Sequence, residues 1–122
     1  MLNKVMIIGR LGRDPEMRQS VCSLSVGTDE SYTDRDGNKV DRVEWHRVSV
    51  FGKSAEFCGR FLTKGSLVFV EGSLQTRKWQ DQKGQDRYST EIRAQRVQAL
   101  DRKVDRQREP QQQHAEVDRV PF

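Results

Sequence analysis

This chain of 122 residues has little of what most enzymes and helical membrane proteins need. Its N-terminal apolar run, Val5-Met6-Ile7-Ile8, is too short for a signal-peptide core, and no stretch approaches a membrane span. Two cysteines, Cys22 and Cys58, make no disulfide framework and point to a reducing compartment, where they serve as small buried apolar side chains. The two histidines, His46 and His114, have no second His or Cys at ligand spacing, so no metal is expected. A nucleophile elbow and a phosphate-cradling Gly-Lys loop are also missing, which leaves no catalytic residues and no cofactor site. Apolar residues make up only 34% of the chain and charged residues 33%. That balance suits one compact β domain with a solvated tail better than a deep-cored enzyme.

What is present is positive charge, unevenly spread. The formal net charge is +4 and the isoelectric point about 9.3, which favours an anionic partner. Within 104–122, Arg106, Arg108 and Arg119 face Asp105, Glu109, Glu116 and Asp118, so the cationic excess belongs to the rest of the chain. That segment also holds Pro110-Gln111-Gln112-Gln113 and few apolar residues. Ordering it would lose entropy without burial in return, so residues 1–103 are read as the domain and 104–122 as a flexible tail.

The domain reads as strands. Val5–Arg10 is a first strand, followed by a bend at Gly12 and a turn at Asp14-Pro15. Val21–Thr28 alternates Cys22, Leu24 and Val26 with Ser23, Ser25 and Gly27. Asp34-Arg35-Asp36-Gly37-Asn38 reverses the chain, and Val43–Phe51 forms a third strand. A short helix is expected over Ala55–Leu62, capped by Ser54, burying Ala55, Cys58, Phe61 and Leu62. Ser66–Leu74 and Arg87–Ala94 make a hairpin around Asp81-Gln82-Lys83-Gly84, and Val97–Leu100 a last short strand. Several strands with one intervening helix suit a small closed barrel.

Two aromatic–basic stretches stand out: Glu44 to Lys53 and Thr76-Arg77-Lys78-Trp79. Both tryptophans lie in them. Flat rings interleaved with cations fit unpaired nucleic acid, because rings stack on bases while Arg and Lys meet phosphates. Strand parity sets Val43, Trp45, Arg47, Ser49 and Phe51 on one face and Glu44, His46, Val48 and Val50 on the other. The first set mixes aromatics, a cation and a hydroxyl, which suits a wet binding face; burial of Trp45 and Phe51 in the core is the competing reading. Trp79 sits beside a polar hairpin tip with little core to enter. Tyr32 is a third candidate ring. Lys4, Arg10, Lys53, Lys64, Arg77, Lys78 and Arg87 could line a groove and make affinity fall steeply with salt.

Taken together these stretches resemble the bacterial single-stranded DNA-binding protein family of the replicative type. The match runs through Asn3-Lys4-Val5, Gly9-Arg10-Leu11-Gly12, Asp14-Pro15-Glu16, Glu44-Trp45-His46-Arg47, Phe51-Gly52-Lys53, Lys64-Gly65-Ser66, Val70-Glu71-Gly72, Thr76-Arg77-Lys78-Trp79 and Gly84-Gln85-Asp86-Arg87-Tyr88. The resemblance implies an all-β chain: a five-stranded OB-fold barrel with one short helix, assembling as a homotetramer in the bacterial cytoplasm at the nucleoid. It implies stacking of DNA bases on Trp45, Trp79 and Phe51, with Tyr32 standing where a third stacking tryptophan often occurs. Lys4, Arg10, His46, Arg47, Lys53, Lys64, Arg77, Lys78 and Arg87 are the expected backbone contacts.

Two departures from the family pattern are visible. Met17-Arg18-Gln19-Ser20-Val21 is several residues shorter than the usual connection there. The tail is brief, and its tip Glu116-Val117-Asp118-Arg119-Val120-Pro121-Phe122 is less acidic than usual. The resemblance implies that Asp118, Val120, Pro121 and Phe122 dock on replication and repair proteins, with Arg119 reducing the tip's charge. The runner-up reading is an OB-fold adaptor of the primosome type, which mainly binds proteins.

Overall fold

A computed structural model describes residues 1–101. The tail and its Asp118, Val120, Pro121 and Phe122 lie outside the described residues. Eight strands and one helix follow in order: β1 (Val5–Leu11), β2 (Glu16–Arg18), β3 (Val21–Asp29), β4 (Tyr32–Thr33), β5 (Lys39–Val40), β6 (Val43–Phe51), α1 (Gly52–Phe61), β7 (Leu67–Gln80) and β8 (Asp86–Ala99). No helix among the described residues is long and apolar enough to cross a membrane.

Five strands close into a ring. β1 pairs with β7, β7 with β8, β8 with β6, β6 with β3, and β3 returns to β1 through Arg10↔Gly27 and Leu11↔Val26. All of these ladders are antiparallel except β6–β8, which runs parallel through Val48↔Ile92 and Ser49↔Arg93. With α1 between its third and fourth strands, the ring is an OB-fold barrel. The short β2 only extends the edge at β3, and β4–β5 forms a separate two-stranded arm between β3 and β6.

The period of two in the sequence fills this barrel. Cys22, Leu24 and Val26 of β3, Val48 and Val50 of β6, Val68 and Val70 of β7 and Ile92 of β8 point inward and are fully buried, with Ala55, Cys58 and Leu62 closing one end. In β7–β8 the register shifts between Glu71 and Gly72: Arg96 faces Glu71 and Ala94 faces Gly72, so Gln95 is the extra residue of a bulge. The backbones are close there, since a Cβ on Gly72 would lie 2.1 Å from the carbonyl oxygen of Arg93. Past the bulge the pairing runs on to Gln80↔Asp86, so β7 and β8 leave the barrel as an exposed hairpin.

Several expectations need correction. The helix begins at Gly52, not Ala55, with extended Phe51 at its N-cap and no side-chain cap bond, so Ser54 lies inside the helix. Phe61 is 49% exposed. It sits on the flank of the Ala55–Cys58–Leu62 stripe and packs on Phe57, ring centroids 5.3 Å apart, while Phe57 reaches the core. Val97–Leu100 is not a separate strand: β8 continues through its bulge to Ala99. The shortened connection holds β2, whose tight turn at Gln19-Ser20 carries Gln19 at φ 57°.

Both cysteines are free and buried. Burial pushes the Cys58 thiol up to about 12, with the neighbouring Cys22 adding to the rise, and burial raises Cys22 as well. A thiol whose folded pKa is raised stabilises the fold below its unfolded value of 9.0, and that contribution is lost as pH climbs from there toward 12. Denaturant midpoints measured from pH 7 to 11 should therefore fall more steeply for the native sequence than for Cys58→Ala. Parallel slopes would show that the Cys58 thiol ionises over the same pH range in the folded and unfolded states.

Candidate nucleic-acid interface

The outward positions of β6 are Trp45, Arg47, Ser49 and Phe51, as strand parity requires. Trp45 is 56% exposed and Trp79 46% exposed, so neither indole is a core residue. The register carries this face across the barrel wall. Ser49 pairs with Arg93 of β8, and Arg93, Glu91, Ser89 and Arg87 pair in turn with Ser73, Gln75, Arg77 and Trp79 of β7. Residues opposite one another in a ladder share a face. Trp45, Arg47, Phe51, Arg77, Trp79 and Arg87 therefore lie on one continuous outer face.

Trp45 has a prepared bed. It pairs with Gly27 across β3–β6. A Cβ on Gly27 would lie 2.6 Å from Cζ3 of the indole, and one on Gly12 would lie 2.5 Å from the same atom. Hydrogen at both positions lets the ring lie close against the backbone, with the rest of its surface open to solvent. Beside it, where β6 and β8 diverge below the Val48↔Ile92 pair, an open cleft of about 330 Å³ is lined by Arg13, Leu24, Ser25, Trp45, His46, Arg47, Ser89 and Thr90. His46 is half-buried there, with Nε2 3.0 Å from Thr28 Oγ1.

A carboxylate ties the face together. Glu91 accepts from Ser49 Oγ at 3.0 Å and from Arg77 Nη2 at 3.0 Å, and its side chain is only 14% exposed. β6 is thereby linked to the hairpin beyond their two ladder pairs. Two further cations of the hairpin are paired: Lys78 with Asp86 at 3.4 Å and Arg87 with Asp81 at 3.0 Å. Hydrogen bonds from the Gln85 and Lys83 amides and from Arg87 hold Asp81 below the usual carboxylate range. Phe51 carries the Arg93 guanidinium 4.5 Å above its ring centroid.

A family model for the single-strand binding protein family matches residues 2–100. The chain belongs to that family. Among solved structures it is similar to a Plasmodium falciparum single-strand binding protein in complex with single-stranded DNA, at 34% identity and a TM-score of 0.74, over 83% of this chain and 97% of that one. It is also similar to a deletion mutant of the single-stranded DNA binding protein from Thermus aquaticus, at 32% identity and a TM-score of 0.70, over 84% of this chain. The match spans 52% of that chain, so the Thermus protein is about twice as long as the region shared.

The remaining expected contacts are not all gathered onto the face. Lys78 pairs with Tyr88, so it points to the reverse side of the hairpin from Arg77 and Trp79. Lys4 forms an ion pair with Glu71 at 2.6 Å, and its hydrogen bond holds that carboxyl below the usual range; Arg10 donates to the Gly65 carbonyl at 3.0 Å. Lys53 lies in the first turn of α1, two residues beyond Phe51, and Lys64 in the loop after α1 with its amide on Asp14. Tyr32 is exposed on the β4–β5 arm. Sequence reasoning missed Gly12, Gly27, Glu91 and Arg93. The alternation of small residues along β3 placed Gly27 on the outer face, but only the register shows which ring it receives. Among the described residues no group of three or more His, Cys, Asp or Glu is placed to hold a metal.

Gly27→Ala should displace the indole of Trp45 while leaving the inward-facing core intact. In a Trp79→Phe background the Trp45 emission should shift and thermal unfolding change little. An unshifted spectrum would mean that the ring does not depend on the glycine bed.

Proposed function

We propose that this protein binds single-stranded DNA without strong sequence preference and coats it during replication, recombination and repair. The supporting observation is the continuous outer face of β6, β8 and the β7–β8 hairpin, which sets Trp45, Phe51 and Trp79 among Arg47, Arg77 and Arg87. Exposed rings offer stacking to any base, and the cations meet phosphates, so neither contact reads sequence. Membership of the single-strand binding family and likeness to a protein solved with single-stranded DNA support the same ligand. Tyr32 on its arm, with Lys53, Lys64, Lys78, Lys4 and Arg10 elsewhere on the surface, would extend the path beyond the central face, and His46 would flank it from the cleft beside Trp45.

Each stack is worth about 1–3 kcal/mol, whereas a surface ion pair is worth about 0–1. Exchanging Asp86 or Asp81 for a phosphate is thus a small cost next to the rings' contribution. Stacking sets the affinity floor, and the cations add the salt-dependent part.

The reading includes a homotetramer and partner docking through Asp118, Val120, Pro121 and Phe122. Assembly is supported by the outer side of β1, where Met6 and Ile8 are exposed beside Phe69 of β7 and would be covered by another copy. Docking rests on the sequence of the tip alone.

Titration with oligo-dT should quench tryptophan fluorescence at low salt. Trp45→Ala and Trp79→Ala should each weaken binding by about 1–3 kcal/mol at every salt concentration. Light scattering in the same solutions should report the tetramer. Absence of quenching at low salt would sink the DNA reading and favour a protein-binding adaptor.

A further inference from the structure

Arg93 is outward-facing and exposed, and it lies within the face built from Trp45 to Trp79. Its ladder partner is Ser49, two residues from both Arg47 and Phe51 on the same side of β6. Its guanidinium sits 4.5 Å over the Phe51 ring centroid. The hairpin cations Arg77, Lys78 and Arg87 are each held by a carboxylate. Arg93 is not: among the described residues no carboxylate lies within ion-pairing distance of it. One face of the Phe51 ring is thus already occupied by a planar cation whose charge is free.

We propose that Arg93 is itself a single-strand contact, stacked on Phe51 to form a two-layer platform with a cationic outer layer. The proposal rests on the reading of this face as the DNA track and adds a residue and a geometry to it. A guanidinium is flat and weakly hydrated, so it stacks on an aromatic ring beneath it and on a base above it. Its N–H groups lie in that plane and remain free to donate to a phosphate at the edge of the stack. Phe51 then acts mainly as the support that orients the guanidinium. A base reaches the covered side of the ring only through Arg93.

Affinity for oligo-dT, measured over a salt series for Arg93→Ala, Arg93→Lys and Trp45→Ala, tests this. Arg93→Ala should weaken binding about tenfold at low salt and reduce the slope of log affinity against log salt by about 0.7. Arg93→Lys keeps the charge without the plane, so it should retain the slope while losing several-fold in affinity. In a Phe51→Ala background, Arg93→Ala should cost markedly less than in the native sequence, because the support is gone. If Arg93→Ala binds as tightly as the native protein while Trp45→Ala is weakened, the face is a DNA track without Arg93 and the proposal fails. Tighter binding by Arg93→Ala would make the guanidinium a competitor for the ring and overturn it equally. Loss of binding by no variant, because the native protein itself does not bind, would remove the reading of the face as well.

Discussion

The parallel ladder between β6 and β8 is two residue pairs long, and the rest of the structure depends on it. Val48↔Ile92 closes the barrel on its inner side, completing the apolar interior. Ser49↔Arg93 closes it on the outer side and brings the two aromatic–basic stretches onto one surface. β7 and β8 are joined directly by a turn, but β6 and β8 are linked through α1 and the whole of β7. So short a ladder supplies few hydrogen bonds. The Ser49–Glu91–Arg77 bridge adds three residues' worth of polar contact across the same seam. Where the ladder ends, the strands part and the cleft beside Trp45 opens.

The bridge also explains how an acidic residue can sit among the cations of this face. Removing a carboxylate from water costs several kcal/mol unless it is paired and hydrogen-bonded, and Glu91 is both. Its charge is offset by Arg77, whereas among the described residues neither Arg47 nor Arg93 has a carboxylate within ion-pairing distance. Asp81 and Asp86 restrain the hairpin's long side chains in the same way before any ligand arrives. Pre-paired cations bind phosphate less strongly than free ones, but they lose less side-chain entropy when they do.

Much of this was legible in the sequence, because local alternation is written residue by residue. Cys22, Leu24 and Val26 against Ser23, Ser25 and Gly27 gave the inner and outer sides of β3, and Trp45 to Phe51 gave those of β6. The turn at Asp34–Asn38 was equally plain, with Asp34 accepting from the Asp36 and Asn38 amides. What could not be read was long-range register. Nothing local says that Ser49 meets Arg93 or that Gly12 comes to lie against Trp45. The alternation breaks at the Gln95 bulge, which is why the sequence divides one strand, β8, into Arg87–Ala94 and Val97–Leu100. Phe61 lies at the edge of a helical stripe, and the 3.6-residue period alone does not resolve which side of that edge is buried.

The period of two separates the labour of this small domain. Along β3 and the second half of β6 every second residue fills the barrel, as Ile92 does in β8, and the residues between them face outward, so the outer face can change without repacking the interior. Arg47, Phe51 and Arg93 are free in this sense, since each makes its contacts on the outer face alone. Trp45 and Glu91 are not. The indole is seated against backbone at Gly12 and Gly27, and the carboxylate holds the seam between β6 and the hairpin. Change at those two positions alters the shape of the face as well as its chemistry. The constraint on such a domain therefore falls hardest on the few outer residues that also carry structure, whether apolar like Trp45 or charged like Glu91.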